Sequence, residues 1–187
     1  KLVVREMTDM LVLELVEKKL VTDQMVLTVG YDADNLTGAE TGRSYRGEVT
    51  ADRYGRKIPK PAHGSVNLSR LTSSTQLIMD AVTELYDRIV NPGLKVRRIT
   101  VAANRLADEA EAGRGERFEQ LDLFTDYEAL EKERKAEAER LGRERRLQEA
   151  MLSVKKRYGK NAILKGMNLQ EGATALERNR QIGGHKA

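Results

Sequence analysis

Apolar side chains are unevenly placed along this chain. They concentrate between Leu2 and Leu106 and thin out afterwards. Folding depends on apolar surface to bury, so a core can form only in that first stretch. The chain therefore reads as a compact first half followed by an extended, strongly charged second half. Its 187 residues suit one domain of ordinary size with appendages. Charged residues make up 33% of the chain, against a usual quarter. A formal charge of +4 favours an anionic partner such as nucleic acid.

There is no cysteine, which excludes disulfides and thiolate metal sites. No run nears the ~20 apolar residues of a membrane span, so no membrane partner is expected. The opening "KLVVREMTDM" lacks the basic-then-apolar order of a secretion signal. Opening in mid-pattern, it reads as the continuation of something longer.

Periodicity orders the elements. Val3, Met7, Met10, Leu11, Val16 and Leu20 fall mostly at three- and four-residue spacing, predicting a helix over 2–20. Met25, Leu27 and Val29 alternate in "QMVLTVGYD", a strand. The polar stretch 33–64 holds five Gly and two Pro, and is long enough to be functional or partly hairpin. "GSVNLSRLTS" reads as a second strand, with Val66 and Leu68 on one face. In "SSTQLIMDAVTELYDRIVNPG", Ser73 with Gln76 resembles a capping box. Leu77, Ile78, Ala81, Val82, Leu85 and Ile89 form its stripe, and Pro92 stops it. "LKVRRITVAANRL" reads as a strand whose apolar phase switches at Arg97–Arg98, predicting a bulge.

The order is α-β-β-α-β. It is a β-α-β-β-α-β unit lacking its first strand, with both helices on one face of the sheet. The fold class is α+β. This unit spans 1–107, with one edge expected to be unpaired. A flexible linker follows over 108–119. Thr125 with Glu128 marks the start of a long charged helix over 125–158, too broken in heptad pattern for a confident coiled coil. A basic, Gly-containing tail fills 159–187.

No catalytic constellation is visible, so no catalytic, cofactor or metal residue is assigned. His63 and His185 are the only histidines, far apart and each beside Gly. Arg43, Arg46, Arg53, Arg56, Lys57, Lys60 and Arg70 gather against only Glu48 and Asp52, with Tyr45 and Tyr54 interleaved. Lys95, Arg97 and Arg98 sit in the last strand. If the loop folds over the open sheet face, these cations join into a surface that tracks phosphates with little sequence preference. His63 and Asn67 could hydrogen-bond the same phosphates. The alternative is a solvated loop beside an ordinary charged face.

"FEQLDLFTDY" holds both Phe of the chain in a charged surround. Gln120 offers a planar donor and acceptor. Leu121, Leu123 and Phe124 offer apolar anchors around Asp122. The segment either docks into a partner's groove or folds back on its own domain as the first turn of the long helix.

"EQLDLF" resembles the clamp-binding motif of bacterial polymerases, and it follows a basic α-β-β-α-β unit. That is the order at the C-terminal end of Y-family translesion DNA polymerases. "DRYGRKIPKPAHGSVNLSRLTSST", "RRITVAANRL" and "YGKNAILKGMNLQEGATALERNRQIGGHKA" resemble the UmuC/ImpB-like branch of Gram-positive bacteria. The resemblance covers nearly the whole chain. It implies a little finger that grips template-primer DNA through Arg97, Arg98 and the loop from Arg56 to Lys60. It implies a sliding-clamp peptide at Gln120, Leu121, Asp122, Leu123 and Phe124. It also implies a bacterial cytoplasmic, nucleoid-associated setting in DNA repair and the SOS response. The parent would be a nucleotidyltransferase using magnesium in a palm domain whose carboxylates lie outside these residues. Two other classes stay open: a stand-alone nucleic-acid-binding accessory protein, and a coiled-coil structural protein built on 126–157.

Overall fold

Lys19 adopts a φ of 55°, and there the first helix gives way to the first strand. The computed structural model describes residues 1–37, 45–112, 127–182 and 185–186. The elements begin with α1 (Leu2–Glu17), β1 (Leu20–Tyr31), α2 (Asp34–Thr37), β2 (Val49–Ala51), β3 (Lys57–Pro59) and β4 (Ala62–Thr72). Next come α3 (Thr75–Ile89), β5 (Val96–Asn104), β6 (Ala107–Asp108), α4 (Glu109–Ala112) and α5 (Tyr127–Tyr158). The chain closes with a 3₁₀ turn (Gly166–Leu169), α6 (Ala175–Asn179), β7 (Gln181–Ile182) and β8 (His185–Lys186).

The sheet runs β4-β1-β5, antiparallel throughout, with β6 extending it on β1. The fold is α+β and little-finger-like, and α1 and α3 pack on one sheet face. Met25, Leu27, Val29 and Tyr31 point from β1 to the helices and are buried. Val4, Val12 and Leu15 of α1 meet them, as do Ile78, Val82 and Leu85 of α3. Each such side chain contributes about 1.5–3 kcal/mol by leaving water. Helix α3 lies so close to β4 that a Cβ on Gly64 would meet Leu85 Cδ1 at 3.1 Å and Ile89 Cγ2 at 3.3 Å.

The bulge predicted at Arg97–Arg98 is present. Gly30 faces Arg98 and Tyr31 faces Val96, leaving Arg97 as the extra residue. The long polar stretch is partly a hairpin, β2 against β3. Its turn is held by Asp52, whose Oδ1 accepts from the N–H of Tyr54 at 2.8 Å and of Arg56 at 2.9 Å. Gly55 supplies the left-handed residue, with φ 75°.

Three expectations need correction. The N-cap of α3 is Ser74, one residue beyond Ser73, and its Oγ accepts from Leu77 N. Gln76 does not reach back to the cap: its Nε2 donates to Asp80, and the Ser74 N–H goes to Thr72 Oγ1 at 3.0 Å. Glu144 accepts from Ser74 Oγ at 2.7 Å and from Gln76 N at 3.1 Å. A remote anion, on α5, thus sits at the start of the helix.

Next, the buried set of α1 differs from the predicted stripe. Val4, Val12, Leu13, Leu15 and Val16 are buried, whereas Met10 is 41% exposed. Glu6, Thr8 and Asp9 are buried as well. A helix covered on several sides shows no single stripe.

Last, the charged second half does not extend away from the domain. Helix α5 lies along it: Gln148 Nε2 donates to Ser73 O and Thr75 Oγ1, both at 2.9 Å. Arg145 bridges to Glu109 at 2.6 Å, Arg70 to Glu137 at 2.6 Å, and Met151 is buried. One face of α5 is therefore covered by its own domain, while Leu147 stays 59% exposed. Beyond α5 the chain returns to α1, where Lys165 pairs with Asp9 and Asn168 with Glu6.

Candidate nucleic-acid interface

The sheet face away from the helices is polar because β1 alternates. Gln24, Val26, Thr28 and Gly30 point opposite to the buried Met25, Leu27 and Val29. Register then builds rows across three strands. Gln24 lies between Asn67 and Asn104, and Thr28 between His63 and Thr100. The first row is bonded throughout: Gln24 Nε2 donates to Asn67 Oδ1 at 2.9 Å, and Asn104 Nδ2 to Gln24 Oε1 at 3.3 Å. In the second, Thr28 Oγ1 and His63 Nδ1 are 2.8 Å apart. His63, Asn67, Thr100 and Asn104 are exposed and Gln24 and Thr28 half-buried, and the bonds within each row fix the bonded side chains in place.

The hairpin β2–β3 folds over one end of this face. Between them is a cleft of about 630 Å³. Thr28, Gly30 and Thr100 form its floor, and Ile58 and Pro61 its apolar wall. Arg53, Arg56, Arg97 and Arg98 converge on it from two separate chain segments. Buried Pro59 anchors the hairpin, and Lys60 N donates to Glu48 O at 2.8 Å.

Two of the four guanidinium groups are tethered. Arg56 pairs with Asp52 at 2.7 Å and lies 5.5 Å from the Tyr54 ring centre. Arg97, pushed out by the bulge, pairs with Asp32 at 3.1 Å. Backbone donation from Asp34 N, then the Arg97 side chain, hold the Asp32 carboxyl below its ordinary range. For Asp52, burial opposes the charge. Donation from the Arg56 side chain and from the N–H groups of Arg56 and Tyr54 outweighs that and lowers its pKa. Arg53 and Arg98 are exposed and have no ion-pair partner among the described residues. The cleft is therefore cationic, and its two free charges face solvent.

Of the residues named from sequence, His63 and Asn67 lie on the open face beside the cleft. Lys57, Lys60 and Lys95 are exposed but do not line it, and Lys60 pairs with Glu48 at 2.8 Å. Gln120, Leu121, Asp122, Leu123 and Phe124 lie outside the described residues, as does Thr125. Sequence reasoning passed over Gln24, Thr28, Thr100 and Asn104. The signal was the polar phase of β1, complementary to its apolar one. No three Asp, Glu or His residues among those described are grouped to hold a metal ion. No helix among the described residues is long and apolar enough to cross a membrane.

Residues 1–123 match the impB/mucB/samB family C-terminal domain. The chain belongs to this family. All four cleft arginines and both core helices fall within the impB/mucB/samB domain, whereas α5 and the returning tail lie beyond it. A relative from Bacillus subtilis (strain 168), DNA polymerase IV 2, is 29% identical over 127 residues. That match covers 68% of this chain and 26% of the relative, so the chain spans about a quarter of that protein's length. No solved structure matches the chain. The family match agrees with the resemblance read from sequence, a Y-family polymerase C-terminal region.

Proposed function

We propose that this chain is the DNA-gripping and clamp-tethering C-terminal region of an error-prone Y-family DNA polymerase acting in translesion synthesis and DNA repair in the bacterial cytoplasm. The chain itself carries out no chemistry. Nucleotidyl transfer with magnesium would belong to a palm domain that these residues do not contain. The observation that carries the reading is the convergence of Arg53, Arg56, Arg97 and Arg98 over a polar, hydrogen-bonded sheet face. Cations gathered beside a polar surface suit phosphate backbones and read little sequence. A peptide at 120–124 would hold the polymerase near the primer end by raising its local concentration.

Fluorescence anisotropy on primer-template duplex tests the grip. Arg97→Glu with Arg98→Glu weakens binding alike for all sequences; unchanged binding removes this pair from the contact surface. Retention on immobilised sliding clamp tests the tether. Changing Gln120, Leu123 and Phe124 together to Ala abolishes retention if the assignment holds, and unchanged retention sinks it.

A further inference from the structure

We infer that the cleft between the β2–β3 hairpin and the sheet binds an unpaired nucleotide of single-stranded DNA, with the base on Tyr54 and the phosphates on Arg53 and Arg98. The inference rests on reading this face as a DNA surface and adds which form of DNA the cleft takes.

Tyr54 lines the cleft yet is 80% exposed. A large aromatic ring left in water at a hairpin turn gives up burial that a stacked base would restore. The ring is also held. Asp52 fixes the turn through the N–H groups of Tyr54 and Arg56, and Arg56 lies 5.5 Å from the ring centre, itself pinned by Asp52. A guanidinium against the ring leaves the rest of its surface open. Aromatic side chains beside a cationic groove are the usual means of holding single strands without reading sequence.

The floor provides the space. Gly30 places no side chain on the open face, directly opposite Arg98 in register. A Cβ there would meet Arg98 Cβ at 3.6 Å, an ordinary contact, so packing does not demand glycine. Its absence leaves the cleft open at about 630 Å³, within the size range of small-ligand sites. Duplex DNA presents its bases stacked and paired, and a cleft of this size admits a base only from an unpaired strand.

The test uses the full chain and a labelled oligothymidylate of about ten nucleotides, with blunt duplex in parallel. Tyr54→Ala lies at an exposed turn and leaves the core intact. It weakens oligothymidylate binding about tenfold, and Tyr54→Phe restores it. Gly30→Val fills the floor and weakens oligothymidylate binding as well. Both weaken blunt-duplex binding far less than oligothymidylate binding. If the parent chain binds duplex while Tyr54→Ala and Gly30→Val bind oligothymidylate as it does, the inference fails and the DNA grip stands. Equal losses on duplex and single strand also overturn it. If the parent chain binds neither, both the grip and the cleft assignment fall.

Discussion

The Glu6 carboxylate, 1% exposed on α1, accepts the backbone N–H of Thr174 at 2.9 Å. The two residues are separated by almost the whole chain. Asn168 Nδ2, Thr174 Oγ1, Ala175 N and Arg178 Nη2 bond the same carboxylate, at 3.0, 3.2, 3.3 and 3.3 Å. This group fastens the C-terminal return onto the first helix. Removing it leaves several donors facing a space without an acceptor. Glu6→Ala is expected to lower unfolding stability by about 2–4 kcal/mol. Urea titration followed by circular dichroism measures this, and a change under about 0.5 kcal/mol would contradict the anchoring role.

The same carboxylate makes stability acid-sensitive. Burial opposes its charge, but donation from Asn168, Thr174 and Ala175 outweighs that and holds its pKa below 4.5. A group whose pKa falls on folding favours the folded state above its unfolded value. That contribution is full above about pH 4.5 and is lost as pH falls through the lower folded value. Melting temperatures of the parent should therefore drop more steeply below that point than those of Glu6→Gln. Parallel pH profiles would contradict it.

Glu144 sits where the first turn of α3 needs an anion. It accepts from Ser74 Oγ and Gln76 N across 70 and 68 residues of chain. Glu144→Ala is expected to cost about 1 kcal/mol, the usual effect of losing a cap or a favourable charge at a helix start. Chemical denaturation checks the magnitude, and high salt should narrow the difference.

Gly64 lets helix α3 lie close against the sheet. Its missing Cβ would lie 3.1 Å from Leu85 Cδ1. Gly64→Val is expected to destabilise by about 1–3 kcal/mol through overpacking. Gly30→Val, with its Cβ at ordinary contact distance, should cost far less. Thermal melts of the two variants side by side test this contrast between faces of one sheet.

The core was legible because it follows local periods. Met25, Leu27 and Val29 alternate, and Ile78, Val82 and Leu85 recur at helical spacing. The bulge at Arg97 was legible from a phase switch. What remained hidden depends on contacts distant in sequence. Glu6 and Asp9 look like surface charges of an ordinary helix until residues 165–178 cover them. Glu137, Glu144 and Arg145 look like members of a solvated charged helix until Arg70, Ser74 and Glu109 pair with them. In the cleft, the arginines were named from composition. Their convergence depended on where the hairpin folds, and no local pattern encodes that.

The central claim is that cations of the cleft neutralise DNA phosphates, and the salt dependence of binding addresses it directly. Each phosphate contact adds about 0.9 to the slope of log affinity against log salt on duplex DNA. Arg53 and Arg98 are the two cleft arginines without an ion-pair partner among the described residues. Primer-template affinity measured across a salt series, for the parent chain and for Arg53→Ala with Arg98→Ala, should show a slope shallower by about two in the double variant. An unchanged slope would contradict the account.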